Sequence, residues 1–155
     1  MTLITLPWHG MACPACHSTH NLRVEFQGLA WLTDHGSEDD GDHEWDGHSM
    51  CYCRACYFQA PAMAFEFGEE GAFVEMPENL EFKVMVVGMT VLENGDHVAT
   101  DALPGGQRMP DYVEVTVLRN QEEIFEERFS SHNVAVVLAA TLAEKFNIDP
   151  ETRIS

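Results

Sequence analysis

Residues 11–20 read MACPACHSTH and residues 51–56 read CYCRAC. How these two stretches are read decides the fold of the first half of the chain. They contain all five cysteines, Cys13, Cys16, Cys51, Cys53 and Cys56. Four of these form two C-x-x-C pairs, CPAC and CRAC, separated by 36 residues. An odd count argues against a disulfide framework, as does an N-terminus, MTLITLPWHG, without the basic and then long apolar pattern of a signal peptide. Two thiolate pairs at this spacing suit a tetrahedral Zn²⁺ with four sulfur ligands, Cys13, Cys16, Cys53 and Cys56. In each pair a tight turn lets both sulfurs face the ion.

The flanks agree with such a site. NLRVEFQGLAWLT after the first turn and YFQAPAMAFEF after the second are rich in β-branched and aromatic residues, with partial alternation. Turn, β-hairpin, turn, strand over about residues 8–67 resembles a zinc ribbon with two C-x-x-C knuckles. That resemblance implies a structural metal in a module used to bind nucleic acid or protein. This chain departs from the pattern just after each pair, where glycine is common because positive φ is needed and where His17 and Tyr57 stand instead. Cys51 lies two residues before Cys53, so alternation points both to one side of a strand. It is either a ligand in place of Cys53 or, the preferred reading, a buried thiol beside the site. His17 and His20 could each replace a sulfur, but a histidine beside a knuckle is more often exposed or a hydrogen-bonding neighbour.

Four cysteines would fill the metal shell and leave no open position for water, so the metal is expected to be structural. A nucleobase deaminase needs H-x-E ahead of P-C-x-x-C, and here the first proline lies inside the pair. A thioredoxin-like pair needs a βαβ setting that neither C-x-x-C has.

Charge is the second strong feature, with 26 acids against eight bases for a formal −18. Nucleic-acid binders neutralise phosphates with clustered Lys and Arg, and the eight bases here are scattered, so direct nucleic-acid binding is disfavoured. A basic protein surface is the natural partner for so negative a chain. The acids concentrate in DHGSEDDGDHEWDGH, residues 34–48, which hold seven acids, three histidines and no Lys or Arg. Between ribbon strands this reads as a hairpin tip enlarged into an acidic loop. Asp39, Asp40, Asp42, Glu44, Trp45 and Asp46 are its candidate partner-binding residues, with Trp45 as the anchor. Asp42, Glu44, Asp46 and Gly47 mimic positions 1, 3, 5 and 6 of a calcium loop, but position 12 is Cys53, which excludes an EF-hand.

GEEGAFVEMPEN, residues 68–79, reads as a boundary, dividing a zinc-ribbon-like module at 1–70 from an α+β domain at 80–155. In the second domain Asn94-Gly95 marks a hairpin and DYVEVTVLRN alternates cleanly. Ser130 or Ser131 caps a helix over about 132–146, which stops at Asn147. Val134, Val137, Leu138, Thr141, Leu142 and Phe146 recur at helical spacing. The fold expected is α+β, a ribbon module followed by a three- or four-stranded antiparallel sheet under one C-terminal helix.

No run of apolar residues approaches the roughly 20 of a membrane span, so a cytoplasmic protein without a membrane partner is expected. The function expected is non-enzymatic zinc binding combined with protein–protein interaction. The alternatives are an acidic nucleic-acid mimic that inhibits a DNA- or RNA-binding protein, and a nucleic-acid-binding ribbon. Edge strands leave a homodimer open.

Overall fold

A computed structural model describes residues 2–104 and 109–153, with side chains described for all of these except 29–31 and 37–43. The architecture is α+β: small, mostly antiparallel sheets and one C-terminal helix. The chain forms two compact units, Met1–Glu78 and Asn79–Ser155.

Among the described residues the first unit contains seven short strands: β1 (Thr2–Thr5), β2 (Leu22–Val24), β3 (Gln27–Thr33), β4 (Gly36–Glu44), β5 (Met50–Cys53), β6 (Gln59–Pro61) and β7 (Phe73–Met76). β2, β5 and β6 form a three-stranded sheet, β3 and β4 a hairpin, and β1 pairs with β7. The stretch at 68–79 is therefore more than a linker, because β7 lies inside it and returns the chain to β1. Ile4, Leu6, Ala12, Phe67, Ala72, Val74 and Met76 pack together as a small core. Gly10 holds the knuckle segment against residue 68. Its φ is +68°, and a Cβ there would collide with the carbonyl oxygen of Gly68.

Two expectations for this unit need correction. The acidic stretch 34–48 is not an enlarged loop, since residues 36–44 form β4, in antiparallel register with β3 from Thr33↔Gly36 to Gln27↔Glu44. Asp and Gly disfavour strands, but cross-strand pairing with β3 overrides that weak preference. The tip is tightened where Thr33 Oγ1 donates to Gly36 O (3.1 Å) and accepts from His35 N–H (3.2 Å). YFQAPAMAFEF is likewise not one strand. β6 ends at Pro61 and Ala62–Phe65 wind into a 3-10 turn with all four residues buried. A half-buried strand would expose every second residue, so complete burial selects the turn.

The second unit is a five-stranded sheet covered by one helix. Its elements are β8 (Phe82–Val91), β9 (His97–Ala99), β10 (Tyr112–Arg119), β11 (Glu122–Phe129), α1 (His132–Phe146) and β12 (Glu151–Arg153). The order is β11-β10-β8-β12, with β9 also paired to β8. The sheet gains a strand beyond the expected three or four, because β12 runs parallel to β8 through Glu151↔Met85 to Arg153↔Val87. Three residues reading ETR carry no apolar pattern, so nothing local announces this strand. The β10–β11 hairpin turns on Asn120 and Gln121, both left-handed at φ 50° and 70°. The Asn120 side chain fixes the start of β8, accepting from Glu81 N–H (2.7 Å) and donating to Asn79 O (2.6 Å).

Ser131 caps α1 by accepting from Val134 N–H (3.4 Å), and Asn147 ends it in the left-handed region. The buried face of the helix keeps Leu142 and Phe146 of the expected set but is turned away from Val134 and Val137. Ala135, Ala139, Leu142, Ala143 and Phe146 are buried, whereas Val134 and Val137 are exposed, Val137 at 65%. The helix is apolar almost all round, so periodicity could not choose a side. Packing chooses the alanine side, which lies against the buried valines Val84, Val86, Val115 and Val117 of β8 and β10. Phe82 and Phe146 close the end of this layer with ring centroids 4.9 Å apart.

On the other face of the sheet, Arg128 Nε meets Glu126 (3.2 Å) and Glu114 (3.6 Å), and its guanidinium lies 5.2 Å over the Tyr112 ring. Burial raises the Glu114 carboxyl, with the neighbouring Glu126 adding to the effect. Tyr112 OH also meets His97 Nδ1 at 2.8 Å.

Candidate metal centre

The two C-x-x-C pairs fold into the same turn. In the first, Cys13 N–H donates to Ser18 O (2.8 Å) and His17 N–H to Cys13 O (2.8 Å). In the second, Cys53 N–H donates to Phe58 O (2.9 Å) and Tyr57 N–H to Cys53 O (2.9 Å). A shift of forty residues maps one onto the other, so two local segments have reached one solution. The residue after each second cysteine is left-handed, His17 at φ 70° and Tyr57 at φ 66°. For a residue with a Cβ this costs on the order of 1 kcal/mol. At His17 the ring offsets part of that cost, donating from Nε2 to Pro77 O at 3.3 Å, just beyond β7. Tyr57 is 86% exposed.

β2 and β5 bring the turns together. Their register, Leu22↔Cys53 to Val24↔Cys51, places the second knuckle beside the first, and Arg54 N–H donates to Asn21 O (2.8 Å) between them. The ligand-bearing atoms of Cys13, Cys16, Cys53 and Cys56 all lie within 4.8 Å of one another. Across the knuckles, Cys13 Sγ is 3.6 Å from Cys56 Sγ, and Cys16 Sγ is 3.5 Å from Cys53 Sγ. A tetrahedron of sulfurs about 2.3 Å from a zinc ion has edges of about 3.8 Å. The cluster fits one metal ion with little movement. Among the described residues it is the one group of three or more His, Cys, Asp or Glu side chains close enough to do so.

Backbone amides prepare the sulfurs for negative charge. Cys16 N–H points at Cys13 Sγ (3.5 Å), with Ala15 N–H assisting, and the amides of Cys56 and Ala55 do the same for Cys53. Burial opposes them, raising the Cys13 and Cys16 thiols. At Cys53 burial also pushes upward, but the amides of Cys56 and Ala55 and the thiols of Cys16 and Cys13 outweigh it, and the net shift is downward. A metal cation would resolve this conflict, because its positive charge stabilises the thiolates that burial disfavours.

A measurable consequence is proton release. With Cys13 and Cys16 raised, the metal-free site at neutral pH carries at least these two protons, and a metal ion must expel them. Titrating zinc into weakly buffered protein with an indicator dye should release about two or more protons per ion. Affinity should fall as the pH drops, because protons then compete for the sulfurs; release of no protons would contradict the protonated resting site.

Cys51 stands apart from the cluster. It is buried on the same side of β5 as Cys53, while Met50 and Tyr52 are half-buried, and burial raises its thiol to about 11. His20 is exposed, and neither it nor His17 joins the cluster. His9 Nδ1 accepts from Met11 N–H (3.0 Å), which steadies the approach to the first knuckle.

Of the acidic candidates, Glu44 ends β4, and Trp45 and Asp46 follow it, all three exposed. Trp45 is 44% exposed, so part of its ring is covered. Asp46 builds the turn back into β5: its Oδ1 accepts from His48 N–H (2.8 Å), and its N–H donates to Ser49 Oγ (3.0 Å). Asp39, Asp40 and Asp42 lie on β4, and their side chains are outside the described residues. No helix among the described residues is long and apolar enough to cross a membrane.

These features define an α+β chain whose first unit carries four cysteines positioned to bind a metal ion. No family model, curated protein or solved structure matches it.

Proposed function

We propose that the chain is a non-enzymatic zinc-binding protein of the zinc-ribbon type that acts in the cytoplasm by binding a protein with a basic surface. The observation that carries the metal reading is the convergence of four sulfurs within 4.8 Å, each knuckle aiming amides at its first sulfur. Four soft thiolates and a closed shell favour zinc in a structural role. The partner reading rests on charge. The β3–β4 hairpin carries most of the acids of the 34–48 stretch, which has no Lys or Arg to neutralise them.

Elemental analysis of protein purified without chelator tests the first part; the expected result is about one zinc per chain, and absence of zinc defeats it. For the second part, Asp39, Asp40, Asp42, Glu44 and Asp46 are replaced together by Asn or Gln. The variant should keep its zinc and lose the salt-sensitive partners captured from the native host by the unaltered chain. Unchanged capture would overturn the hairpin as the contact. Competition by DNA for the captured partner would shift the reading to nucleic-acid mimicry, and retention of DNA by the chain itself would shift it to a nucleic-acid-binding ribbon.

A further inference from the structure

The four sulfurs are not equivalent. In each knuckle the first cysteine, Cys13 or Cys53, is buried, and the second, Cys16 or Cys56, is exposed. The close sulfur contacts across the site join unlike members, exposed Cys16 to buried Cys53 at 3.5 Å and exposed Cys56 to buried Cys13 at 3.6 Å. Each exposed cysteine therefore faces a buried one of the other knuckle across the site.

We propose that this site is also a peroxide-oxidation site, in which Cys16 and Cys56 react first and Cys53 and Cys13 resolve them as the disulfides Cys16–Cys53 and Cys13–Cys56, with release of the metal. The inference rests on the metal reading above. An exposed thiolate attacks one peroxide oxygen; the O–O bond breaks, the sulfur becomes a sulfenic acid, and the departing hydroxide takes a proton to become water. The buried thiolate of the facing knuckle then attacks the sulfenic sulfur. An S–S bond forms, the S–O bond breaks, and the second hydroxide takes a proton. Each disulfide thus consumes two thiolates, one hydrogen peroxide and two protons, and yields two waters. Two such events leave the ion without donors.

The pairing has a structural consequence. Disulfides within a knuckle would close tiny loops, whereas the cross pairs join residues 43 and 37 apart in sequence. They would staple the knuckles together where the metal had held them. The oxidised unit is therefore metal-free yet still closed, unlike the reduced unit after chelation. Cys51, buried and outside the cluster, keeps its thiol.

The test treats the zinc-loaded full chain with hydrogen peroxide, follows metal with a chromogenic chelator and maps disulfides by mass spectrometry. Expected are one zinc released per two peroxides, the two cross-knuckle linkages, and a single alkylatable thiol at Cys51. Linkages Cys13–Cys16 and Cys53–Cys56, a disulfide involving Cys51, or zinc retained through exhaustive oxidation would each overturn the proposal. A chain that carries no zinc when purified defeats the metal reading instead. Its reduced form, oxidised in the same way, must still give the cross linkages if the sulfur geometry governs the pairing.

Discussion

Cys13→Ser should strip the metal and unfold the first unit while leaving the second intact. Serine is a poor zinc ligand, and structural sites contribute about 10–16 kcal/mol through four donors. Loss of one donor should weaken binding by at least ~100-fold, equivalent to about 3 kcal/mol. The first unit buries its apolar residues in small groups, Leu6, Ala12 and Met76 in one and Ala62–Phe65 in the 3-10 turn, and its knuckles hold two residues in left-handed conformations. The two units can be watched separately. The five cysteines fall in Met1–Glu78 and the α-helix in Asn79–Ser155. The variant should be cleaved rapidly by a protease within Met1–Glu78, with its helical circular dichroism kept. Cys51→Ser, which alters a thiol outside the cluster, should retain zinc. If Cys51→Ser releases the metal and Cys13→Ser does not, the ligand set is wrong.

The knuckles are legible in the sequence because their constraint is local. A C-x-x-C turn needs two sulfurs three residues apart and a left-handed residue after the second, and all of these fall within five consecutive positions. His17 and Tyr57 occupy that left-handed place although neither is glycine, so the ring geometry of the turn outweighs the Cβ penalty. What cannot be read locally is set by distant partners. β4 is a strand because β3 lies beside it, not because EDDGDHE favours extension. β12 is a strand because β8 offers an edge, and β7 lies in a stretch whose Gly, Pro and acids advertise a linker. The helix illustrates the same limit. Its ends are announced by Ser131 and Asn147, but its inward face is not, because valine on one side and alanine on the other satisfy the same apolar pattern. Burial is decided by how closely the backbone can approach the sheet, and alanine permits the closer approach.

That choice of face makes the second large prediction. Leu142 is fully buried on the alanine side of α1, above the valines of β8 and β10. Leu142→Ala should cost about 2–5 kcal/mol, the range for leucine truncations that leave a cavity the surroundings only partly fill. That is a large fraction of the ~5–15 kcal/mol total stability of an ordinary domain. Val137→Ala removes two methyl groups from a side chain that is 65% exposed, and its effect should stay within about 0.5 kcal/mol. Both effects should appear in denaturant melts of the helical signal, with zinc supplied in excess so that the first unit stays folded. The zinc content of both variants should equal that of the unaltered chain, because the four clustered cysteines all lie in Met1–Glu78. If Val137→Ala proves the costlier substitution, α1 presents its valine side to the sheet, and the packing described for the second unit is inverted.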